Sequence, residues 1–218
     1  MTTRESGLRA RDTISPLLIG GALVATAVCY SSLPAQLPIH FNLHGVADGF
    51  APRAVGAWLL PATAVALHAL ISSAHLLLPR AARERWLASP RAAVSIILTT
   101  LMVGLQGVVL HASTHPGSVG GPLVAVLACT WLALGLVLPR VRRNPFVGVR
   151  TPWSLASDEN WAKTHWIAGH AFVLGAIVAL AAVALGSPAV GVVCLVAPAV
   201  VPVIYSWRAA RSGHDEAM

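Results

Sequence analysis

Charge is what this chain has least of: 11% of its 218 residues are Asp, Glu, Lys or Arg, where a soluble domain carries about a quarter. Apolar residues make up 56%, and the mean hydropathy is +0.71. That balance excludes an ordinary water-soluble domain and indicates a protein dissolved in lipid. Acid is scarcer than base, with eight Asp and Glu against fifteen Lys and Arg, and none of the eight lies deep inside an apolar run. A proton-coupled carrier would need a carboxylate at depth, so that class loses ground. Cysteine is limited to Cys29, Cys129 and Cys194, an odd number set within apolar runs. They suit packing and offer no disulfide framework. Phosphate loop, Cys/His zinc spacing, nucleophile-and-base pairing, internal repeat and low-complexity tract are all missing. The length leaves no room for a catalytic domain beside a membrane core.

What is there is apolar length. Met1 to Thr13 is polar and reads as a short disordered tail. Ile14 to Ser32 then gives the roughly 20 apolar residues that a spanning helix needs. A signal peptide is the rival reading, with Ala25-Thr26-Ala27 as a cleavage site, but the run is long and the remainder is itself membrane-embedded. Further spans are predicted at Ala54–Leu78, Ala92–His111 and Gly121–Leu138, at a helix from Ser157 to about Gly186, and at Ala189–Trp207. Ser157 followed by Asp158 and Glu159 supplies a capping hydroxyl and acids at the positive end of that fifth helix. Pro198 and Pro202 interrupt the sixth and free carbonyls four residues earlier. The expected fold is all-α, a polytopic bundle of six transmembrane helices. It divides into an N-terminal membrane half (1–112, spans one to three) and a C-terminal half (113–218, spans four to six).

The basic residues orient the bundle. Arg4, Arg9 and Arg11 precede the first span. Arg80, Arg83, Arg85 and Arg91 join the second to the third, Arg140, Arg142, Arg143, Arg150 and Lys163 join the fourth to the fifth, and Arg208 and Arg211 follow the sixth. Only Arg53 falls on the opposite side. The positive-inside rule then predicts both termini in the cytoplasm. It also explains the formal charge of +7 by topology, so no direct nucleic-acid partner is expected.

Two connections carry polar residues of interest. The outer one, Leu33–Arg53, holds Pro34, Pro38 and Pro52 against helix and Gly45 and Gly49 at turns, and reads as a loop. Within it His40, His44 and Asp48 are weak candidates for a divalent metal. The favoured reading is a turn in which Asn42 and Asp48 bond the backbone. The inner one runs from Arg142 to His170. Thr151 before Pro152 should be extended, and Val149–Trp153 reads as irregular backbone. Trp161, His165 and Phe172 share a helix face, with Gly169 allowing another helix close. Trp153, Trp161 and Trp166 fit an interfacial belt, which leaves Arg150 unexplained. Within the spans His68, Ser72 and His75 fall on one face and Gln106 lies at mid-depth, each a functional candidate facing the bundle interior. No cofactor is expected.

At these residues the chain resembles the SdpI-type bacterial immunity protein family. Asn144, Val147-Gly148-Val149-Arg150-Thr151-Pro152-Trp153-Ser154-Leu155, Trp161, Lys163-Thr164-His165 and Gly169 are similar to its pattern of Asn, IGIRTPWTL and W..TH...G. Leu37-Pro38-Ile39-His40-Phe41-Asn42, Gly45 and Asp48 are similar to the IP.HFN..G..D loop of the small domain of unknown function that usually precedes it. Ala47 departs from the proline often found before that aspartate, and His44 is not part of the pattern. The resemblance implies a multi-pass protein of the bacterial inner membrane. It implies protection against a secreted membrane-active toxic peptide, and signal transduction by holding a cytoplasmic repressor at the membrane. The reading from another class is a membrane enzyme or carrier acting on a lipid or small anionic substrate, with Arg150 as anion ligand and His165 as acid or base.

Overall fold

The computed structural model describes residues 3–115, 117 and 119–215. Its helices are α1 (Thr3–Cys29), α2 (Arg53–Ser73), α3 (Arg80–Leu87), α4 (Arg91–Thr114), α5 (Gly120–Val137), α6 (Pro152–Ala156), α7 (Asp158–Ala184) and α8 (Pro188–Asp215). Strands β1 (Gln36–Phe41) and β2 (Ala47–Pro52) lie between α1 and α2. Six helices are long and apolar enough to cross a bilayer, over Thr13–Ser32, Arg53–Leu76, Arg91–Thr114, Gly120–Arg140, Asp158–Ala184 and Pro188–Arg211. These coincide with the six predicted spans. A helix satisfies its own backbone in lipid, so apolar runs of this length have one stable outcome.

Five local expectations are corrected. The segment Leu33–Arg53 is an antiparallel hairpin, pairing Gln36 with Pro52 and Leu37 with Ala51, with register shifts around His40. The backbone read as a disordered tail is helical from Thr3, and the last helix runs beyond Trp207 to Asp215. The basic turn at Arg80 is the short helix α3, and Pro152 and Trp153 open α6 rather than ending an irregular stretch. Pro152 occupies the first helical position, where its missing N–H costs nothing. Pro116 and Ser118, between the predicted third and fourth spans, lie outside the described residues.

In the first half of the chain α4 packs on α2 and α1; in the second α7 packs on α5 and α8, and α4 meets α5 between them. Small residues set the closest approach. A Cβ on Gly169 of α7 would lie 2.7 Å from the carbonyl oxygen of Gly135 on α5, and one on Gly135 would meet the Gly169 oxygen at the same distance. The apolar cluster beside them joins Val124 and Ala128 of α5 to Ala176 and Ala179 of α7 and Leu195 of α8. Pro198 frees the carbonyl of Cys194, and Gly175 is the residue that lets α7 approach it, since a Cβ there would lie 2.7 Å from that oxygen.

The connections gather at two ends. The amide of Val119 donates to the Gly45 carbonyl (2.9 Å), so the hairpin tip docks where α5 begins. At the other end the Arg142 amide donates to Ser89 Oγ (3.2 Å), and Trp86 of α3 packs edge-on against Phe146 at 5.6 Å. These are called the hairpin end and the arginine end.

Candidate functional sites at the two ends of the bundle

At the hairpin end Asn42 builds the turn. Its side-chain oxygen accepts from the amides of His44 (2.9 Å) and Val46 (3.1 Å), and its own amide donates to the Val46 carbonyl (2.9 Å). Gly45 takes a positive φ of 71°, open to glycine at no steric cost. His40 Nδ1 and Asp48 Oδ1 close the strands at 2.5 Å on an exposed face. Pro38 is buried in β1. No group of three metal-binding side chains occurs among the described residues, so His40, His44 and Asp48 do not assemble the metal site weighed above. Arg53, at the start of α2, has a different task. Its guanidinium donates to the carbonyls of Leu33 (3.1 Å) and Tyr30 (3.4 Å) and sits 5.0 Å from the Tyr30 ring centroid. A cation there gathers the carbonyls of the turn that follows α1 and ties it to the start of α2. The hairpin leaves Ile39, Leu43, Val46 and Phe50 exposed, Phe50 by 58%.

At the arginine end, side chains fix the backbone from Val141 to Ser154. Buried Asn144 folds a tight loop: its oxygen accepts from Phe146 and Val147 (both 2.8 Å), and its amide donates to the carbonyls of Arg142 (2.8 Å) and Val147 (3.0 Å). Gly148 follows with φ +124°. The next amide, of Val149, donates to His165 Nε2 (3.0 Å). Thr151 and Ser154 form a reciprocal capping box, each hydroxyl accepting from the other's amide at 3.0 and 3.1 Å. The Ser154 hydroxyl also donates to the Val149 carbonyl (2.6 Å).

The helices behind this segment continue the network. Trp161 Nε1 donates to the Val141 carbonyl (2.8 Å), and its ring stacks on His165 with centroids 4.0 Å apart. His165 is fully buried, and its Nδ1 faces the Trp161 carbonyl at 2.8 Å. A carbonyl can only accept and an amide can only donate, so the ring is assigned the Nδ1–H tautomer. Both nitrogens are thus occupied, and neither is left for proton transfer. Thr151 Oγ1 meets Ser206 Oγ of α8 at 2.9 Å, Asn160 donates to the Ser206 carbonyl (3.0 Å), and Thr164 donates to Asn160 (2.9 Å). Ser157 caps α7 by accepting from the Asn160 amide (3.3 Å). Phe172, about three turns further along the same helix face, packs on Trp131 of α5, with centroids 3.9 Å apart. Arg150 and Trp153 are exposed.

The intramembrane candidates separate. His68 Nδ1 and Ser95 Oγ are 2.9 Å apart, and Ser15 lies 3.2 Å further on. His68 and Ser72 line one cavity with Arg91, whereas His75 turns back onto the Ser72 carbonyl (2.9 Å) in a 3-10 turn. Gln106, buried, donates to Thr26 Oγ1 (3.1 Å) and to the Ala57 carbonyl (3.0 Å), tying three helices together. Asn160 and Ser206 were not singled out from the sequence, and Ser154 entered only within the 147–155 motif. The only signal for Ser206 was a lone hydroxyl late in an apolar run.

Comparison with curated proteins and with solved structures gives no match. Family models do match. Residues 17–65, from α1 through the hairpin into α2, match a domain of unknown function, DUF1648. Residues 140–206, which hold the whole Asn144–Ser206 network, match the SdpI/YfhL protein family. The arrangement at the arginine end therefore lies within the part of this six-span helical chain that is similar to the SdpI/YfhL family, and a part similar to the DUF1648 domain stands ahead of it.

Proposed function

We propose that this protein is an immunity protein of the bacterial inner membrane, with both termini in the cytoplasm, that protects the cell against a secreted membrane-active peptide. The match of residues 140–206 to the SdpI/YfhL family supports an immunity-type role in general. The observation that carries the finer reading is the hairpin. It is held rigidly by Asn42, Arg53 and Val119, yet presents Ile39, Leu43, Val46 and Phe50 to its surroundings. The sheet has two strands, so among the described residues each keeps one edge with no strand partner. An amphipathic peptide can add to such an edge and bury its apolar side chains against the exposed ones. Fourteen of the fifteen basic residues belong to the tails or the arginine end, which supports placing the hairpin outside. A cytoplasmic repressor, if the cell holds one here, would meet the arginine end.

The test is challenge of a sensitive strain, with and without the protein, by a panel of membrane-active peptides. Expression should protect against at least one of them. Joint replacement of Leu43, Val46 and Phe50 by Ser should abolish that protection at an unchanged membrane level. Protection that survives the replacement, or none against any peptide, refutes the reading.

A further inference from the structure

Arg150 is the only charged residue between Arg143 and Asp158. The backbone on both sides of it is fixed: Val149 by His165 and Ser154, Thr151 by Ser154 and Ser206. Yet among the described residues its guanidinium has no hydrogen bond or ion pair. A rigid mount for an unpartnered cation is the form of a binding group rather than of a packing group.

Arg150 lines a cleft of about 390 Å³ between α3 and the 143–155 segment. Arg85 and Arg143 line it too, and Pro79, Ala82 and Leu155 form apolar parts of its wall. One acid faces these arginines. Asp158 binds Arg143 at 2.7 Å and Arg85 at 3.8 Å. The neighbouring acids are engaged elsewhere, Glu84 with Arg80 and Glu159 with Lys163. Three guanidinium groups against one carboxylate leave the cleft with a positive excess that a phosphate would neutralise.

We infer that this cleft binds the phosphate group of an anionic membrane phospholipid, with Arg150 as its principal ligand and Arg85 beside it. Lipid is favoured over free phosphate by position and lining. The cleft joins the connection after the second span to that after the fourth, so it opens where those spans end and headgroups lie. Trp153, exposed three residues on, is of the type that anchors at that depth. The apolar wall suits the glycerol and first methylenes of a lipid and gives nothing to an inorganic ion. This inference does not rest on the immunity reading, since no peptide enters it.

The experiment uses the full chain, delipidated in neutral detergent and titrated with a short-chain phosphatidylglycerol while thermal unfolding is followed. Phosphatidylcholine of the same chain length and inorganic phosphate are run in parallel. Phosphatidylglycerol should raise the unfolding midpoint saturably, and the other two should not. Arg150→Gln should leave the ligand-free midpoint unchanged and weaken phosphatidylglycerol about tenfold, the scale of one lost charge-assisted contact. Arg85→Gln should weaken it less, and Arg150→Lys should restore part of the loss. An equal response to phosphatidylcholine, or a response to inorganic phosphate as large as that to lipid, overturns the inference. So does undiminished binding by the Arg150→Gln variant.

Discussion

At Gly148 two demands fall on one residue. The backbone takes φ +124°, and a Cβ built there would run into Nε2 of His165 and lie 3.1 Å from the Trp161 ring. Gly148→Ala should therefore cost about 2–4 kcal/mol, from the strained backbone and from overpacking against a ring that cannot retreat. Thermal unfolding in detergent reads this directly, and a midpoint equal to that of the unmodified protein would show that the segment is not held as described. Asn144, Gly148, Thr151 and His165 stood out in the sequence through the short motif that resembles the SdpI family. Ser206 and Asn160 were not. Ser206 meets Thr151 across 55 residues and Asn160 across 46, and no local pattern announces a partner that distant. His165 was legible as a residue but not as a role. An imidazole on a helix face suits proton chemistry or bracing equally well until both nitrogens are seen to be taken.

Among elements, the spans were readable and the short pieces were not. In lipid every backbone polar group needs an internal partner, so an apolar run of about 20 residues becomes a helix whatever its neighbours do. The hairpin followed no such rule. Pro38 and Gly49 break the alternation that marks a strand, and the register shifts beside His40 break the period again. The contact of α5 with α7 gives the sharpest test at this scale. Gly135 and Gly169 face each other's carbonyls, and a Cβ on Gly169 would also lie 2.8 Å from Pro139. Backbone oxygen and a proline ring have little room to yield. Gly169→Ala should cost about 1–3 kcal/mol and Gly169→Val more, by forcing the two helices apart. Both should lower the unfolding midpoint in that order, whereas Gly107→Ala, where a Cβ meets nothing within 4 Å, should not. Equal effects at Gly169 and Gly107 would mean that the α5–α7 approach is looser than the carbonyl distances require.

For the molecule as a whole, the six spans fix which connections share an end, and the contacts between connections agree. Gly45 meets Val119 at one end, while Ser89 meets Arg142 and Arg85 meets Asp158 at the other. Alternation alone does not say which end faces the cytoplasm. The arginines supply that, because positive segments resist translocation. Single cysteines, in a background with Cys29, Cys129 and Cys194 replaced by Ala, decide it. Leu43 and Ala156 are exposed, and their connections lie at opposite ends. Leu43→Cys should react with a membrane-impermeant maleimide in intact cells. Ala156→Cys should react only after the membrane is opened. The reverse pattern would put the hairpin in the cytoplasm, out of reach of a secreted peptide. It would also leave fourteen basic residues on the wrong side of the positive-inside rule, so the peptide reading and the orientation would fall together.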